Sequence, residues 1–411
     1  MNILYIACSC SPIYGSEDAI GWNIPLIAEN RNNKVTVIVR SGLKHDIKLW
    51  IKNHPDEKFP NYYFIETSSF LDKIAKGPFY TMRLYEFSFR ALKLAKRLNK
   101  IEPFDIIHQI TPVEFRSIGD YGKISNAKYI IGPIAGGQKI NKLLWNYVDK
   151  KNIEKLRVLI NEITIKNPLY KKKIKKANCV LFANRETLDY FCQNSLATGR
   201  EIVIPEIGVK NQYNRQNCNK TNEQIIFLMV GRLISIKGFD IVLDSLEYIK
   251  NKNFKIRICG DGELYNHFLD KIKNKNLSEN VELLGFIDYL KMEQEYKTAT
   301  ALIMPSLREA TGTVLIEAMQ HGIPVITFEQ FGAKLIIDDE SGWCISIEDS
   351  QKKCVEQVAS IMEKIINNPK IAMEKGRKAM KKISDFTWEK KYDLYEKLYK
   401  QLLNGKASKK D

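Results

Sequence analysis

The sequence lacks the features that mark membrane-spanning, secreted and zinc-binding proteins. Its 411 residues contain no run of 18 or more apolar residues, which excludes a membrane-spanning helix. The eight cysteines are scattered and include no Cys-x-x-Cys pair, so reduced thiols are favoured over disulfides or a zinc site. The opening segment Met1–Ala7 lacks the basic region and the cleavage site of a secretory signal. Neither an Asp-x-Asp sequence nor an internal repeat occurs.

Length and composition indicate a globular protein of two domains. The chain is long enough for two domains with separate cores. A hydrophobic content of 44% and a charged content of 27% are typical of soluble proteins. We expect a cytoplasmic protein, and peripheral contact with the inner face of the cell membrane stays open.

The net charge of +16 is unevenly spread and is highest in the segment Ile140–Lys176. This segment holds eleven Lys and Arg residues against three acids, a local charge of +8. Apolar residues are interleaved with the charges: Leu143, Leu144, Trp145, Tyr147, Leu156, Leu159, Ile160 and Ile163. Three interpretations stay open, namely a Lys-rich surface that reflects genome composition, contact with an anionic membrane, and contact with nucleic acid.

Both halves of the chain show alternating strands and helices. The strand Ile3–Ala7, a loop, a helix and the strand Val35–Val39 predict the start of a Rossmann-like domain. The first loop has no Gly-x-Gly-x-x-Gly sequence, which argues against a dinucleotide cofactor. The polar stretch Pro205–Gln224 is typical of an interdomain linker, and Ile225–Val230 then begins a second parallel sheet. We expect the charged tail Lys406–Asp411 to be disordered.

The most informative stretch is Ser306–Gln320, which lies between two short apolar runs. It predicts a strand, loop and helix, followed by a Gly stop and a further strand, as in one βαβ unit of a parallel sheet. Two carboxylates lie eight residues apart, Glu309 on the loop and Glu317 on the helix. The loop is at the carboxyl end of its strand, where open α/β sheets bind ligands. From these residues alone, ordinary acidic residues at a helix start are an equally good interpretation.

A second candidate is the pair Arg232 and Lys237, five residues apart in the loop after Ile225–Val230. A guanidinium can bind two phosphate oxygens, and an ammonium adds a compact positive charge. Basic residues in a loop are more often plain surface than a binding site, so the pair alone leaves both interpretations open.

The sequence Glu309-x7-Glu317, followed by Ala318-Met319 and Gly322-Ile323-Pro324-Val325, resembles the signature of retaining glycosyltransferases of the GT-B fold, family 4. The resemblance covers nearly the whole chain. It implies an α/β fold with two Rossmann-like domains, whose parallel sheets face a central cleft, and a C-terminal helix that crosses back to the first domain. The expected bounds are 1–205 for an acceptor-binding domain, 206–385 for a nucleotide-sugar-binding domain and 386–404 for the last helix.

The resemblance also implies the donor site. The phrase Gly231-Arg232…Lys237-Gly238 matches the phosphate clamp of the family. Glu309 would contact hydroxyls of the donor sugar, and Glu317 would contact those of the ribose. The residues assigned to donor binding are Gly15, Ser16, Gly231, Arg232, Lys237, Phe286, Glu309, Ala310, Thr311, Gly312, Thr313 and Glu317.

The remaining assignments concern catalysis and the acceptor. His108 lies near the carboxyl end of a predicted strand, and the resemblance would place it at the reacting face. The residues assigned to catalysis are His108, Glu309, Arg232 and Lys237. Those assigned to the acceptor side are Glu17, Gly136, Gly137 and Gln138.

These assignments predict a metal-independent retaining glycosyltransferase without a cofactor. It would move a sugar from a UDP- or GDP-sugar to a growing surface polysaccharide, a lipid-linked glycan or a similar acceptor. Another GT-B enzyme, such as a nucleotide-sugar epimerase or a phosphorylase, is the main alternative. A basic nucleic-acid-binding protein is a distant third, and since no nucleic-acid-binding motif occurs we expect no such partner.

Overall fold

The chain folds into two compact units, each built on one β-sheet. The computed structural model describes residues 1–68, 71, 80–197, 199–209 and 224–405, apart from the side chains of residues 289 and 290. The first unit comprises residues 1–138, residues 152–208 and the chain from Thr387 onward. The second unit comprises residues 139–151 and 209–386.

The described part of the first unit contains a sheet of seven strands. They are β1 Asn2–Ala7, β2 Lys34–Arg40, β3 Asn61–Ile65, β4 Ile106–Thr111, β5 Lys128–Ile134, β6 Cys179–Phe182 and β7 Glu201–Val203. Their order is β3-β2-β1-β4-β5-β6-β7, and every pairing is parallel. The α-helices with described bounds in this unit are Glu17–Asn30, Lys44–Asn53, Thr81–Ile101, Lys151–Lys166, Pro168–Lys175, Arg185–Gln193 and Trp388–Leu403.

The described part of the second unit contains a sheet of six strands. They are β8 Ile225–Val230, β9 Phe254–Cys259, β10 Val281–Gly285, β11 Ala301–Ile303, β12 Val325–Phe328 and β13 Gly342–Ile345. Their order is β10-β9-β8-β11-β12-β13, again wholly parallel. The helices of this unit are Phe239–Ser245, Tyr265–Asn274, Tyr289–Thr298, Thr313–Gln320, Ala333–Ile336, Gln351–Asn367 and Lys370–Ile383.

The predicted fold class is confirmed. Central strands such as β8 and β11 are almost entirely apolar and buried, because helices cover both faces of a parallel sheet. In both units successive strands are first added on one side of the first strand and then on its other side. The strand order therefore switches between β1 and β4 in the first sheet and between β8 and β11 in the second. Ligands of such sheets bind at the carboxyl ends of the strands beside this switch point.

One short segment leaves the first part of the chain to join the second unit. Ile140, Leu144 and Val148 are at most 6% exposed and belong to the hydrophobic core of that unit. The Tyr147 hydroxyl donates a hydrogen bond of 3.1 Å to Asp244 in the same unit. Residues 139–151 therefore differ from the expected domain bounds, and Ile140, Leu144 and Val148 of the basic segment are packed core, whereas Lys142 and Lys150 are exposed.

The end of the chain returns to the first unit, as predicted. The helix Trp388–Leu403 packs on the helix Glu17–Asn30, and it buries Tyr392, Tyr395 and Tyr399. Of the expected linker, residues 210–223 lie outside the described residues, and the whole charged tail 406–411 does as well. No helix of the described residues is both long enough and apolar enough to cross a bilayer.

Candidate functional site

The carboxyl edge of the second sheet brings neighbouring loops into backbone contact. Gly238 has a left-handed φ of 75°, and a Cβ atom there would lie 2.1 Å from the carbonyl oxygen of Pro305. A Cβ atom at Gly260 would lie 1.9 Å from the Gly231 carbonyl oxygen. Because only glycine permits such close approaches, the loops after β8, β9 and β11 form one continuous rim.

Two predicted site residues meet on this rim. Lys237 ends the short turn Ser235–Lys237 after β8, and Glu309 lies in the loop after β11. The Lys237 Nζ donates a hydrogen bond to the Glu309 Oε2 and forms an ion pair with it. The two side chains are 20% and 24% exposed, so the pair is sheltered but within reach of a ligand. This contact brings together a cation and a carboxylate that lie 72 residues apart in the chain.

Arg232 lies on the wall of a pocket next to this pair. The pocket has a volume of about 240 Å³ and opens at the carboxyl ends of β8, β9 and β10. Arg232 is exposed, and Phe286 is 81% exposed. The lining residues are Val230, Gly231, Arg232, Cys259, Gly260, Asp261, Phe286, Ile287 and Met292. An apolar wall with a few polar groups at its mouth is typical of a small-molecule site.

Glu317 lies one turn into the helix Thr313–Gln320. Its Oε2 accepts a hydrogen bond of 2.7 Å from the hydroxyl of Tyr296, which stacks on His321 at 5.0 Å. Burial raises the pKa of the Glu317 carboxyl, and the hydrogen bond from Tyr296 opposes that rise. The second oxygen, Oε1, makes no hydrogen bond within the described residues and is the oxygen suited to a ligand.

The loop 310–313 is only partly available to a ligand. Thr311 and Gly312 are buried, whereas Ala310 and Thr313 are partly exposed. The Gly332 amide donates a hydrogen bond of 2.8 Å to the Ala310 carbonyl and holds the loop in place. Of the four residues predicted to face the donor, Ala310 and Thr313 are therefore the two at the surface of the rim.

In the first unit, three loops meet at the carboxyl ends of β1, β4 and β5. The Glu17 Oε1 accepts a hydrogen bond of 2.6 Å from the Val113 amide, which ties the first helix to the loop after β4. The Ala135 amide donates 2.8 Å to the Val113 carbonyl, which ties that loop to the one after β5. Glu17 is therefore held at the switch point of this sheet.

Glu17 has an unusual ionisation. Burial raises the pKa of its carboxyl to about 7; the Val113 amide opposes this rise, and the nearby Glu114 carboxylate adds to it. Glu114 in turn accepts hydrogen bonds from the Tyr80 hydroxyl at 3.0 Å and from the Arg116 guanidinium at 2.9 Å. A carboxyl group that titrates near neutral pH at a loop cluster is a candidate functional group.

The loop Gly136–Gln138, which was assigned to the acceptor side, is held by side chains of the helix Lys151–Lys166. Arg157 donates hydrogen bonds to the carbonyls of Gly136 at 3.1 Å and Gln138 at 2.7 Å. Asn161 of the same helix donates 2.9 Å to the Gly136 carbonyl. The side chain of Gln138 folds back and accepts a bond of 2.9 Å from the Gly136 amide. Gly137 packs against the ring of Tyr190. The loop is thus preorganised by the first unit itself.

His108 does not lie where the sequence placed it. The side chain is fully buried within β4, and both ring nitrogens have partners. Nε2 donates 2.6 Å to the Gly132 carbonyl, so neutral Nδ1 accepts the bond of 2.6 Å from the Tyr399 hydroxyl. Burial lowers the pKa of the ring to about 4. The expectation of a reacting-face histidine is therefore corrected: His108 joins the sheet to the C-terminal helix of the same unit.

Gly15 and Ser16 lie on the loop that precedes the first helix. Both are exposed, and the space where a Gly15 side chain would lie is open, with no atom within 4 Å. Ser16 has a φ of 56°, a left-handed conformation that is uncommon outside glycine. Nothing in the fold of this unit requires glycine at position 15.

Sequence reasoning missed several residues of these two edges. Asp261 and Met292 line the pocket, Tyr296 holds Glu317, and Glu114 lies beside Glu17. The phrase Gly260-Asp261-Gly262 directly after a strand was the available signal for the pocket. The partners Tyr296 and Glu114 had no local signal, since only the fold brings them close. Within the described residues, no group of three or more His, Cys, Asp or Glu side chains could hold a metal ion.

Comparison with known proteins gives matches to glycosyltransferases. Residues 210–383 match the family model of glycosyl transferases group 1. An uncharacterized glycosyltransferase of Methanocaldococcus jannaschii is 25% identical over 228 residues, which cover 52% of this chain and 63% of that protein. The amylovoran biosynthesis glycosyltransferase AmsD of Erwinia amylovora is 31% identical over 143 residues, covering 34% and 40%. The chain thus spans less than two thirds of the length of these curated relatives.

Solved structures show the fold over the whole chain. The Anabaena protein Alr3699/HepE in complex with UDP aligns with a TM-score of 0.64 at 15% identity, over 97% of this chain and 100% of that one. The protein therefore has the GT-B fold, and residues 210–383 are similar to glycosyl transferases group 1.

Proposed function

We propose that the protein is a retaining glycosyltransferase of family 4, which moves a sugar from a UDP- or GDP-sugar to a glycan acceptor without a metal ion. The observation that carries this proposal is the contact of Lys237 with Glu309 beside the pocket lined by Arg232. A departing diphosphate develops negative charge, and fixed cations that face it lower the energy of the transition state. The glycosyltransferase names of the relatives and the matched domain support the same activity.

The donor would lie along the rim of the second sheet. The nucleobase would enter the pocket beside Phe286, and the UDP in the related Anabaena complex supports a nucleoside diphosphate as the ligand. Arg232 would bind phosphate oxygens with two donors, and Lys237 would add its charge. When Lys237 turns to the phosphates, Glu309 is released to accept hydrogen bonds from sugar hydroxyls. Glu317 would accept those of the ribose through Oε1.

The acceptor would approach the first unit. The reaction breaks the bond between C1 of the sugar and the diphosphate oxygen, and the acceptor oxygen forms a new bond to C1. In the first unit, Glu17 offers a carboxylate for the acceptor hydroxyl, with the preorganised loop Gly136–Gln138 beside it. Because retention in this family proceeds without an established enzyme nucleophile, no side chain is assigned that role.

The proposal for the acceptor covers more than one class of glycan. Names such as amylovoran biosynthesis glycosyltransferase support a growing surface polysaccharide, and a lipid-linked glycan or a similar acceptor fits the same chemistry. A cytoplasmic location, inferred from the cysteine pattern and the missing secretory signal, and peripheral contact with an anionic membrane, inferred from charge, are predictions.

The test is turnover of UDP- and GDP-sugars in the presence of EDTA. We expect the wild type to retain its activity and Lys237→Ala to lose about 100- to 1000-fold in turnover. Lys297→Ala is the matched control, because Lys297 pairs with Glu293 at 2.7 Å on an exposed helix of the same unit. A requirement for a divalent ion, or equal losses in both variants, would overturn the proposal.

A further inference from the structure

The helix Lys151–Lys166 has an unusual distribution of polar and apolar side chains. Its buried residues are two polar ones, Glu154 and Asn161, and one apolar one, Ile165, whereas a surface helix normally buries mainly apolar side chains. The opposite side exposes large apolar side chains. With Leu169 of the following helix they form an apolar patch of Ile153 (47% exposed), Leu156 (38%), Leu159 (55%), Ile163 (62%) and Leu169 (72%).

The polar side of this helix explains how the helix is held. Arg157 pairs with Glu154 at 2.6 Å and, together with Asn161, bonds the carbonyls of the loop Gly136–Gln138. The apolar patch is therefore not needed to hold the helix on its unit. Contiguous exposed apolar side chains usually mark a surface that something else covers.

The surface next to the apolar patch also combines exposed hydrophobic side chains with lysines. The Lys173 ammonium lies 5.8 Å from the ring centre of Tyr85, which joins the helix Pro168–Lys175 to the helix Thr81–Ile101. On that helix Phe89 is 61% exposed, with the Lys93 ammonium 4.5 Å from its ring centre. Aromatic and aliphatic side chains thus alternate with lysines over neighbouring helices.

Charge decides which occupant fits this surface. Residues 151–176 carry nine Lys and Arg side chains against two acids, a local charge of +7. Lys155, Lys172 and Lys175 are exposed, and within the described residues none of them has an ion-pair partner. A second copy of the chain would bring an equal positive charge to an interface of like patches and be repelled. Nucleic acid would satisfy the lysines but would leave the aliphatic side chains in contact with water.

We propose that the apolar patch and its lysines bind an anionic lipid surface. The apolar side chains would enter the boundary between headgroups and acyl chains, while the lysines contact the negative headgroups. Since the same helix holds the loop Gly136–Gln138 with its other side, docking would bring the acceptor edge close to the lipid surface. This last step rests on the proposed function, whereas the binding itself does not.

The experiment is co-sedimentation of the full-length protein with vesicles. One set contains equal parts of phosphatidylglycerol and phosphatidylcholine, and the other contains phosphatidylcholine alone. We expect binding to the anionic set only, with a loss of about tenfold or more in partition coefficient for Leu159→Gln/Ile163→Gln and for Lys172→Gln/Lys175→Gln. All four positions lie on the surface, so thermal melting should be unchanged.

Matched controls come from the helix Lys44–Asn53 of the same unit. It exposes Leu49 (45%) and the lysines Lys48 and Lys52, so Leu49→Gln and Lys48→Gln/Lys52→Gln change similar side chains elsewhere. These variants should bind as the wild type does. If the control variants lost as much vesicle binding, the binding would not depend on this surface, and the proposal would be overturned. Absence of wild-type binding, or a dimer that Leu159→Gln/Ile163→Gln dissociates, would overturn it as well.

A thermal shift with UDP and GDP on the same samples separates this inference from the proposed function. Nucleotide binding should be equal in the wild type and in all four variants, because the changed side chains lie in the first unit. Vesicle binding without a nucleotide shift would contradict the donor site alone. A nucleotide shift without vesicle binding would contradict the lipid surface alone.

Discussion

The two sheets share one strand order but carry opposite charges at the same point of it. At the switch between β8 and β11 the second unit presents Lys237, paired with Glu309, and Arg232 lies on the same loop as Lys237. At the switch between β1 and β4 the first unit presents Glu17, with Glu114 close by. Cations suit a diphosphate and carboxylates suit sugar hydroxyls, so the contrast supports the proposed assignment of a donor edge to the second unit and an acceptor edge to the first.

The contrast also concerns how each charge is stabilised. Lys237 is already paired with Glu309, so its charge is stabilised in the absence of a ligand. Glu17 has one amide donor, lies near a second carboxylate and is pushed toward its neutral form. A group kept at such a cost is typical of a functional site, where stability is given up for activity.

The largest effect is expected on the donor edge, from Glu309→Gln. The amide would no longer hold Lys237 by charge or accept strong hydrogen bonds from the sugar. We expect turnover to fall by about 100-fold or more, while affinity for UDP or GDP without a sugar stays equal or rises. Steady-state kinetics and calorimetry measure the two quantities. A parallel loss of nucleotide affinity would contradict a role at the sugar and show that Glu309 acts by holding Lys237 in place.

The next effect is expected on the acceptor edge, from Glu17→Gln. The ordinary pKa of this carboxyl is 4.5, and its folded value is about 7. The neutral form therefore stabilises the fold below pH 4.5, and this contribution is lost as pH rises through 7. At pH 8 the variant should be more stable by about 1–3 kcal/mol, with acceptor-dependent turnover about 10- to 100-fold lower.

Denaturant unfolding at two pH values measures this difference. The gain in stability should shrink toward zero near pH 4.5, where both side chains are neutral. A variant that is less stable than the wild type at pH 8 would show that Glu17 is a structural carboxylate rather than a functional one.

A smaller effect is expected inside the first unit, from Tyr399→Phe. Removal of the hydroxyl leaves the His108 Nδ1 without its donor and the Tyr5 hydroxyl without the 3.2 Å contact to Tyr399, and the free energy of unfolding should fall by about 1–2 kcal/mol at pH 7.5. Tyr395→Phe is the matched control, because the Tyr395 hydroxyl is buried without a hydrogen-bond partner among the described residues and its ring also contacts His108. The control should be neutral or slightly stabilising. Equal losses would refute the role of the His108 bond.

The smallest effect on the fold is expected from Gly15→Ala. The position is open on all sides, so the melting temperature should not change. If the loop approaches a donor or an acceptor, the added methyl group should raise a KM by about three- to tenfold. An unchanged KM for both substrates would remove Gly15 from the site.

The convergence of Lys237 and Glu309 on one edge of the second sheet could be predicted from the sequence, because both follow strands of a parallel sheet. Arg232, Lys237 and Glu309 lie in loops after strands, and Glu317 lies one turn into the helix that follows the loop of Glu309. The carboxyl ends of parallel strands converge on one edge, and this places such residues together. The meeting of Lys237 with Glu309 follows from that rule without knowledge of side-chain packing.

The errors have one physical origin, which is contact between distant parts of the chain. His108 lies near the end of a strand, where site residues are expected. Tyr399, 291 residues later, forms a hydrogen bond with its ring within the protein interior. Leu144 lies in a segment whose pattern is that of an amphipathic surface element, but its side chain is buried in the core of the second unit. Periodicity shows which residues seek burial and does not show which core will receive them.

The most direct test of the central claim is the affinity of UDP and GDP for Lys237→Met, measured by calorimetry in EDTA. The claim is that fixed cations on the rim of the second sheet hold the diphosphate. We predict that Lys237→Met weakens the better-binding nucleotide by about tenfold or more, with Lys297→Met unchanged. Equal affinity in wild type and Lys237→Met would contradict the claim, and the phosphates would then have to lie elsewhere.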